Sequence, residues 1–217
     1  MASKRNVEDR ILDATRACVE AFGVRRTTLT DVARRAGVSR PTVYRRWPDA
    51  TALVADLLTR ELRRILEEEA SEGAAGENVR ERLVRHAAGV ARAMLAHPLL
   101  TRMVDTEPEL LATYTFHRLG ASHHAALEIV EPVVSEGQRD GSVREGDPET
   151  LARFVLVTVQ GTVTARRLFA DVLDETGLID ELTAALDGYL AVRRPDERRR
   201  ATAPRDRTDH QTSTNGA

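Results

Sequence analysis

Arg40, Thr42, Tyr44, Arg45 and Arg46 fall within seven consecutive positions, with Pro41 among them. Guanidinium forks, a hydroxyl and a phenol suit one kind of chemistry, the contacting of phosphate oxygens and base edges in a DNA groove. The same residue types also fit an ordinary solvated helical hairpin, since charge runs usually face water. What distinguishes the two readings is the frame that holds these residues. The stretch from Thr28 to Pro48 reads TLTDVARRAGVSRPTVYRRWP. Thr28 is a good N-cap, and Asp31 three residues on can complete a start resembling a capping box. Val32, Ala33 and Ala36 form a short apolar stripe at helical spacing. Gly37 ends that helix, because glycine enters the left-handed conformation without steric cost. Val38 plugs the turn, Ser39 caps a second helix, and Pro41 lies in its first turn, where a missing N–H costs nothing. Val43 and Trp47 are left to face inward. Caps, glycine turn and aromatic ending in one register predict a helix-turn-helix over about 28–47 whose second helix reads DNA.

Charge distribution agrees. The 217-residue chain has a net charge of −2, which argues against indiscriminate nucleic-acid binding. Through Trp47, however, eleven basic residues stand against five acidic ones, a balance of +6, so the remainder carries −8. A basic end on an acidic body predicts one DNA-facing module and one module with another task. Hydrophobic residues make up 41% of the chain and aromatics only 4%; a real core and an all-α fold follow from an Ala-, Leu-, Arg- and Glu-rich mixture. No apolar run reaches membrane-spanning length and the N-terminus has no signal-peptide core, so a cytoplasmic, nucleoid-associated protein without a membrane partner is expected. The single Cys18 excludes an internal disulfide framework and reads as a small core residue.

Around the helix-turn-helix, residues 1 to about 5 read as a loose basic arm. Asn6 caps a first helix that runs to about Phe22, with Ile11, Ala14, Cys18 and Phe22 as its buried stripe and Gly23 as its stop. Pro48 and Asp49 punctuate the recognition helix, and a long helix to about Ala70 follows, carrying Val54, Leu57, Leu58, Leu62, Ile65 and Leu66 at helical spacing. It joins the two modules rigidly. A polar loop at Ser71–Gly76 leads to a helix over about 77–96, which Pro98 ends. A short apolar piece comes next, then a helix restarted by Thr106 and Pro108. Another helix reaches about Asp140 with a kink at Pro132. Asp147-Pro148-Glu149 starts a broad apolar helix running to Leu173, and a last helix spans about Leu178 to Val192. The expected division is a DNA-binding domain at 1–51, an effector-binding and dimerisation domain at 52–193, and a disordered polar tail at 194–217. Two long apolar helices at the end of a chain suit an isologous dimer, with Val159, Val163, Leu182, Leu186 and Tyr189 at its interface; completing the protomer core is the alternative.

Thr28-x-x-Asp31-Val32-Ala33-x-x-Ala36-Gly37-Val38-Ser39, followed by Thr42-Val43-Tyr44 and Trp47-Pro48, resembles the TetR/AcrR family of bacterial transcriptional regulators. The match covers roughly residues 6–60; the downstream half is similar in layout only. The resemblance implies a homodimer that binds double-stranded operator DNA, usually as a repressor, and lets go when a small molecule binds. It further implies that Thr28 and Tyr44 contact phosphate and that Arg40, Pro41, Thr42 and Arg45 face the groove. One departure stands out. Where the family commonly has a phosphate-reaching lysine after the Pro-Asp pair, this chain has Ala50; Arg46 or Lys4 is expected to compensate.

Other chemistry is thinly represented. His117, His123 and His124, with Asp105 and Glu107 nearby, invite a metal reading. Adjacent histidines diverge by about 100° on a helix, so pocket-lining or exposed positions fit better than ligation, and no metal or other cofactor is expected. No G-x-S-x-G, phosphate loop, HExxH or Cys–His pairing gives catalysis a seat, so the protein is not read as an enzyme. An all-helical enzyme and a helical sensor whose basic hairpin contacts another protein remain the competing classes. An effector pocket enclosed by helices between about 52 and 173 is expected to draw its lining from Met94, Met103, Tyr114, Phe116, His117, Phe154 and Gln160. The scarcity of aromatics disfavours a cage for planar cations and leans toward an aliphatic ligand.

Overall fold

Thr28 and Gly37 set the ends of the first short helix as their chemistry requires. The Thr28 Oγ1 accepts the Asp31 N–H at 3.1 Å, and Gly37 adopts φ +64° with its N–H turned back onto Ala33 and Arg34 carbonyls. In the computed structural model, which describes residues 2–69, 77–106 and 120–192, these two residues bracket one of nine α-helices. Among the described residues these are α1 (Ala2–Phe22), α2 (Leu29–Ala36), α3 (Arg40–Tyr44), α4 (Ala50–Glu69), α5 (Val79–Ala96), α6 (Pro98–Thr106), α7 (Ala121–Arg139), α8 (Pro148–Thr164) and α9 (Glu175–Leu190). A single 3₁₀ turn covers Arg166–Leu168, and the one β feature among them is an isolated bridge between Val143 and Ala191. The protein is all-α. The expected loop at Ser71–Gly76, the expected helix from Pro108 onward and the tail at 194–217 lie outside the described residues.

α1 supports the helix-turn-helix. Ile11, Leu12, Ala14, Cys18 and Val19 are buried, and burial pushes the Cys18 thiol up, as suits a core residue. Two expectations fail here. No loose arm precedes Asn6, because the helix already runs from Ala2 and nothing in Ser3-Lys4-Arg5 breaks it. Phe22 is exposed, since the stripe ends where Gly23 turns the chain away with φ +82°.

α4 is the shaft of the molecule. Asp49 opens it, its Oδ1 accepting the Ala52 N–H at 2.8 Å. Twenty residues at about 1.5 Å rise give roughly 30 Å of rigid helix. Leu53, Leu57, Leu58, Ile65 and Leu66 are buried along it. One contiguous apolar core runs from Ile11, Val32 and Trp47 through Leu57 to Leu99, Leu151 and Leu186. Inside this stripe sits a carboxylate: Glu61 is 2% exposed. Arg60 donates to its Oε1 at 2.8 Å and Arg16 of α1 to its Oε2 at 3.3 Å. His97, at the corner between α5 and α6, brings Nε2 to 3.6 Å, and Arg60 reaches on to Asp13 at 2.9 Å. A buried carboxylate is tolerable only with such neutralisation. The cluster thereby ties α1 to α4 and to the body.

α5 begins with a full capping box between Asn78 and Glu81. The piece after Pro98 is itself a helix, α6, which starts on the proline because its φ is preset for a first turn. Asp147 caps α8, accepting the Thr150 N–H at 3.0 Å. That helix stops at Thr164 instead of reaching Leu173. The Thr164 hydroxyl folds back to the Gln160 carbonyl at 2.9 Å, and Arg166 and Arg167 turn to Asp105 of α6, so the chain leaves the helix axis. Asp174 then caps α9 through the Gly177 N–H at 2.8 Å.

Candidate nucleic-acid interface and interior cavity

The groove-facing set lies on a frame whose polar groups are engaged with one another. The Asp31 carboxylate takes the Thr28 hydroxyl at 2.6 Å and the Arg34 guanidinium at 2.7 Å. Arg10 of α1 reaches across to the C-terminal end of α2 and donates to the Ala36 carbonyl at 2.7 Å. This satisfies a helix-end carbonyl and places a cation where the helix dipole favours one. Val43 and Trp47 are buried beneath α3. Proline stands in the first turn of that helix. Arg40, Pro41, Tyr44 and Arg45 are exposed on its outer side, as is Thr28 at the start of α2, and Thr42 is half-buried. Hydroxyl, phenol and guanidinium groups on one surface, held by a rigid base, can bond phosphates and base edges.

Two residues behave differently from expectation. Ser39 makes no side-chain cap on α3; its Oγ pairs with the Thr42 Oγ1 at 2.7 Å, so the two hydroxyls satisfy each other. Arg46 is drawn back to Glu8 of α1, with its guanidinium carbon 5.4 Å from the centre of the Trp47 ring. It braces α3 against α1 in this structure, which makes it a poor stand-in for a lysine at position 50. Lys4 lies among residues whose side chains are not described. Arg10, Glu8 and Glu61 had no place in the sequence reading. Glu61 alone left a signal, a carboxylate in register with Leu57 and Ile65 and flanked by Arg60 and Arg64.

Behind this surface, α4, α5, α6, α7 and α8 enclose a cavity of about 560 Å³, within the size range of small-molecule sites. Its wall is mostly aliphatic, including Leu58, Leu62, Met94, Val104, Val130 and Leu156. Met94 and Gln160 line it. Met103 does not: it is 1% exposed and packed in the core. Phe154 is 52% exposed and stacks on Tyr189 with ring centres 4.2 Å apart, whereas its neighbour Val155 faces the cavity. Tyr114, Phe116 and His117 lie outside the described residues. His123 is at the cavity wall and His124 is exposed, the divergence that adjacent helical positions impose. Among the described residues, no group of three or more His, Cys, Asp or Glu is placed to hold a metal ion.

Asp56 belongs to both regions. It borders the cavity, and its Oδ2 accepts the indole N–H of Trp47 at 2.8 Å. The last residue behind the recognition helix is thus fixed to the cavity wall by one hydrogen bond.

An all-helical chain with an exposed, basic second helix on a glycine turn, carried by a long helix on a hollow body, has the architecture of a helix-turn-helix DNA-binding regulator. Residues 11–57 match the model of the bacterial regulatory proteins of the tetR family. The chain is 41% identical over 181 residues to the uncharacterized HTH-type transcriptional regulator Rv2250c of Mycobacterium tuberculosis, covering 83% of this chain and 93% of that one. It belongs to the tetR family of bacterial transcriptional regulators, DNA-binding proteins and not enzymes. Solved structures share the fold. The repressor QsdR of R. erythropolis superposes with a TM-score of 0.66 at 18% identity over 88% of this chain and 97% of that one. The regulator FadR of Bacillus subtilis in complex with stearoyl-CoA does so with 0.60 at 18% identity over 83% and 98%. Among the described residues, no helix is long and apolar enough to cross a membrane.

Proposed function

We propose that this regulator is a cytoplasmic homodimeric repressor that a small aliphatic molecule releases from its operator. In this reading residues 1–51 are the DNA-binding unit, residues 52–193 take up the effector and pair the protomers, and the unit at 1–51 lies on the nucleoid. The observation that carries it is the exposed Tyr44 and Arg45 on a recognition helix fixed from beneath by Val43 and Trp47. Dimerisation is supported by a run of large apolar side chains left exposed on α8 and just after it, among them Phe154, Val157, Leu168 at 79% and Val172 at 70%. Single protomers rarely expose such patches, and a second copy presenting the same face closes the assembly. The interface residues expected from sequence are displaced accordingly. Val159, Val163, Leu182 and Leu186 are buried inside the protomer, because they point from α8 and α9 toward α5 and the cavity; of that set only Tyr189, stacked on Phe154, borders the exposed patch. An aliphatic effector is supported by the cavity wall and by the stearoyl-CoA bound to the FadR structure.

The test is binding of the purified protein to duplex DNA from upstream of its own gene. Wild type is expected to bind with an affinity that falls steeply with salt, through release of counterions from the phosphates. Tyr44→Ala and Arg45→Ala are expected each to lose roughly tenfold or more. Equal, weak binding of all three proteins to any duplex would sink the proposal.

A further inference from the structure

The cavity holds one fixed polar device. The Gly120 N–H, at the N-terminus of α7, donates to Nδ1 of His123 at 2.9 Å. That occupies the Nδ1 lone pair, so the ring proton sits on Nε2. Nε2 lies 3.0 Å from Oε1 of Gln160 on α8 and donates to it. The Gln160 carbonyl is therefore used, and its amide nitrogen keeps two N–H donors with no acceptor among the described residues. Both residues line the cavity.

Apart from the half-buried Ser122 hydroxyl, the remaining polar groups of the described wall are engaged or enclosed. The Thr59 and Thr164 hydroxyls bond carbonyls of their own helices, and Asp56 holds the Trp47 indole. His86 turns Nδ1 to the Glu69 carbonyl at 2.8 Å, and its Nε2 is buried without a partner. No lysine or arginine stands among the described lining residues. An anionic ligand would be stripped of water beside Asp56, and no lysine or arginine among the described lining residues would meet it. A ligand whose polar group accepts hydrogen bonds without carrying charge meets what the wall offers.

We propose that the cavity takes an uncharged aliphatic molecule bearing a carbonyl group, whose oxygen accepts the free amide hydrogens of Gln160. This rests on reading the cavity as the effector site and names the effector's class.

Three probes of matched chain length separate the possibilities: methyl dodecanoate, the dodecanoate anion and dodecyltrimethylammonium. Titration calorimetry on the full chain is expected to give the ester at least roughly tenfold tighter binding than either charged probe. Gln160→Leu is expected to weaken the ester roughly three- to tenfold, the worth of one hydrogen bond, and to leave the charged probes unchanged. His123→Leu, which frees the Gln160 amide to rotate, is expected to weaken the ester by a smaller factor. Binding of either charged probe as tight as the ester, no binding of the ester, or unchanged ester binding by a folded Gln160→Leu protein would each overturn the assignment. Should both variants fail to fold, the wild-type comparison alone decides it. Operator binding measured on the same preparation separates the two readings. Intact DNA binding without ester preference overturns this assignment alone, and ester preference without DNA binding overturns the regulator reading alone.

Discussion

The two ends of α4 treat polar groups in opposite ways. Around the recognition helix they are tied to neighbours: Thr28 and Arg34 to Asp31, Arg10 to the Ala36 carbonyl, Arg46 to Glu8, Trp47 to Asp56. Around the cavity the walls are mostly aliphatic, and in the pair of His123 with Gln160 one group, the Gln160 amide nitrogen, has no acceptor among the described residues. The contrast fits the task proposed for each end. Reading a half-site demands that a few exposed side chains hold their register within a fraction of an ångström, so the groups beneath them are locked. Admitting a ligand demands space and an unused hydrogen-bonding group at the place where the ligand's own will lie. Between the two, Glu61 and its arginines join α1 to the shaft, so a shift of α4 is felt by the helix that supports the DNA-reading surface.

The largest expected effect tests whether the two ends differ in packing as they do in polarity. Trp47 is buried and fully engaged; Trp47→Ala is expected to cost about 3–5 kcal/mol and to abolish operator binding. Met94 is half-buried and borders empty space, so Met94→Ala removes fewer contacts and is expected to cost about 1–2 kcal/mol with operator binding retained. Thermal denaturation with a DNA-binding assay reads both. Equal losses would mean that the cavity wall is packed as tightly as the recognition module.

The difference between the ends also explains what was legible in the sequence. The helix-turn-helix was, because its parts are local: a cap at Thr28, a glycine at 37 and a proline at 41 act on residues three or four away. The same holds for Asp147 and Pro148 at the start of α8. The cavity was legible only in part, because its membership depends on how helices far apart in the chain rotate against one another. Met94 and Gln160 face it, Met103 and Phe154 do not, and nothing in the local pattern separates Phe154 from Val155. The ion pair of Arg46 is illegible locally for a related reason: its partner Glu8 is distant in sequence and comes near only when α1 folds against the helix-turn-helix. The end of α8 was overrun because exposed Leu168 and Val172 continue its apolar pattern without continuing its axis.

A middle-sized effect probes the turn itself. Gly37 holds φ +64°, a conformation that costs a side-chain-bearing residue about 1–2 kcal/mol. An added Cβ there would meet only the end of the flexible Arg10 side chain, at 3.5 Å, so the loss is conformational and not steric. Gly37→Ala is expected to lower stability by about that amount and to weaken operator binding, because α3 is displaced relative to α2. Ligand binding in the cavity is expected to be unaffected. A variant in which DNA and ligand affinity fall together would show that the turn is not confined to the reading end.

The smallest effect concerns the same kind of local device placed at the other end. Asp147 starts α8, a wall of the cavity, as Thr28 starts α2. The Thr150 hydroxyl, then the Thr150 N–H and the Arg153 charge hold the Asp147 carboxyl below the usual carboxylate range. A carboxyl with a depressed folded value contributes stability that is present above its unfolded value, about 3.9, and is lost as pH falls through the folded one. Removing the hydroxyl with Thr150→Ala raises the folded value toward the unfolded one. The thermal midpoint of the variant is therefore expected slightly below that of wild type at neutral pH. The gap is expected to narrow as pH is taken below about 4, because protonation removes from wild type what the substitution already removed from the variant. The carboxyl is fully exposed, so water screens the effect and keeps it small. A gap that stays constant between neutral and strongly acid pH would mean that Thr150 contributes through packing, and that the starts of α2 and α8 are not equivalent devices.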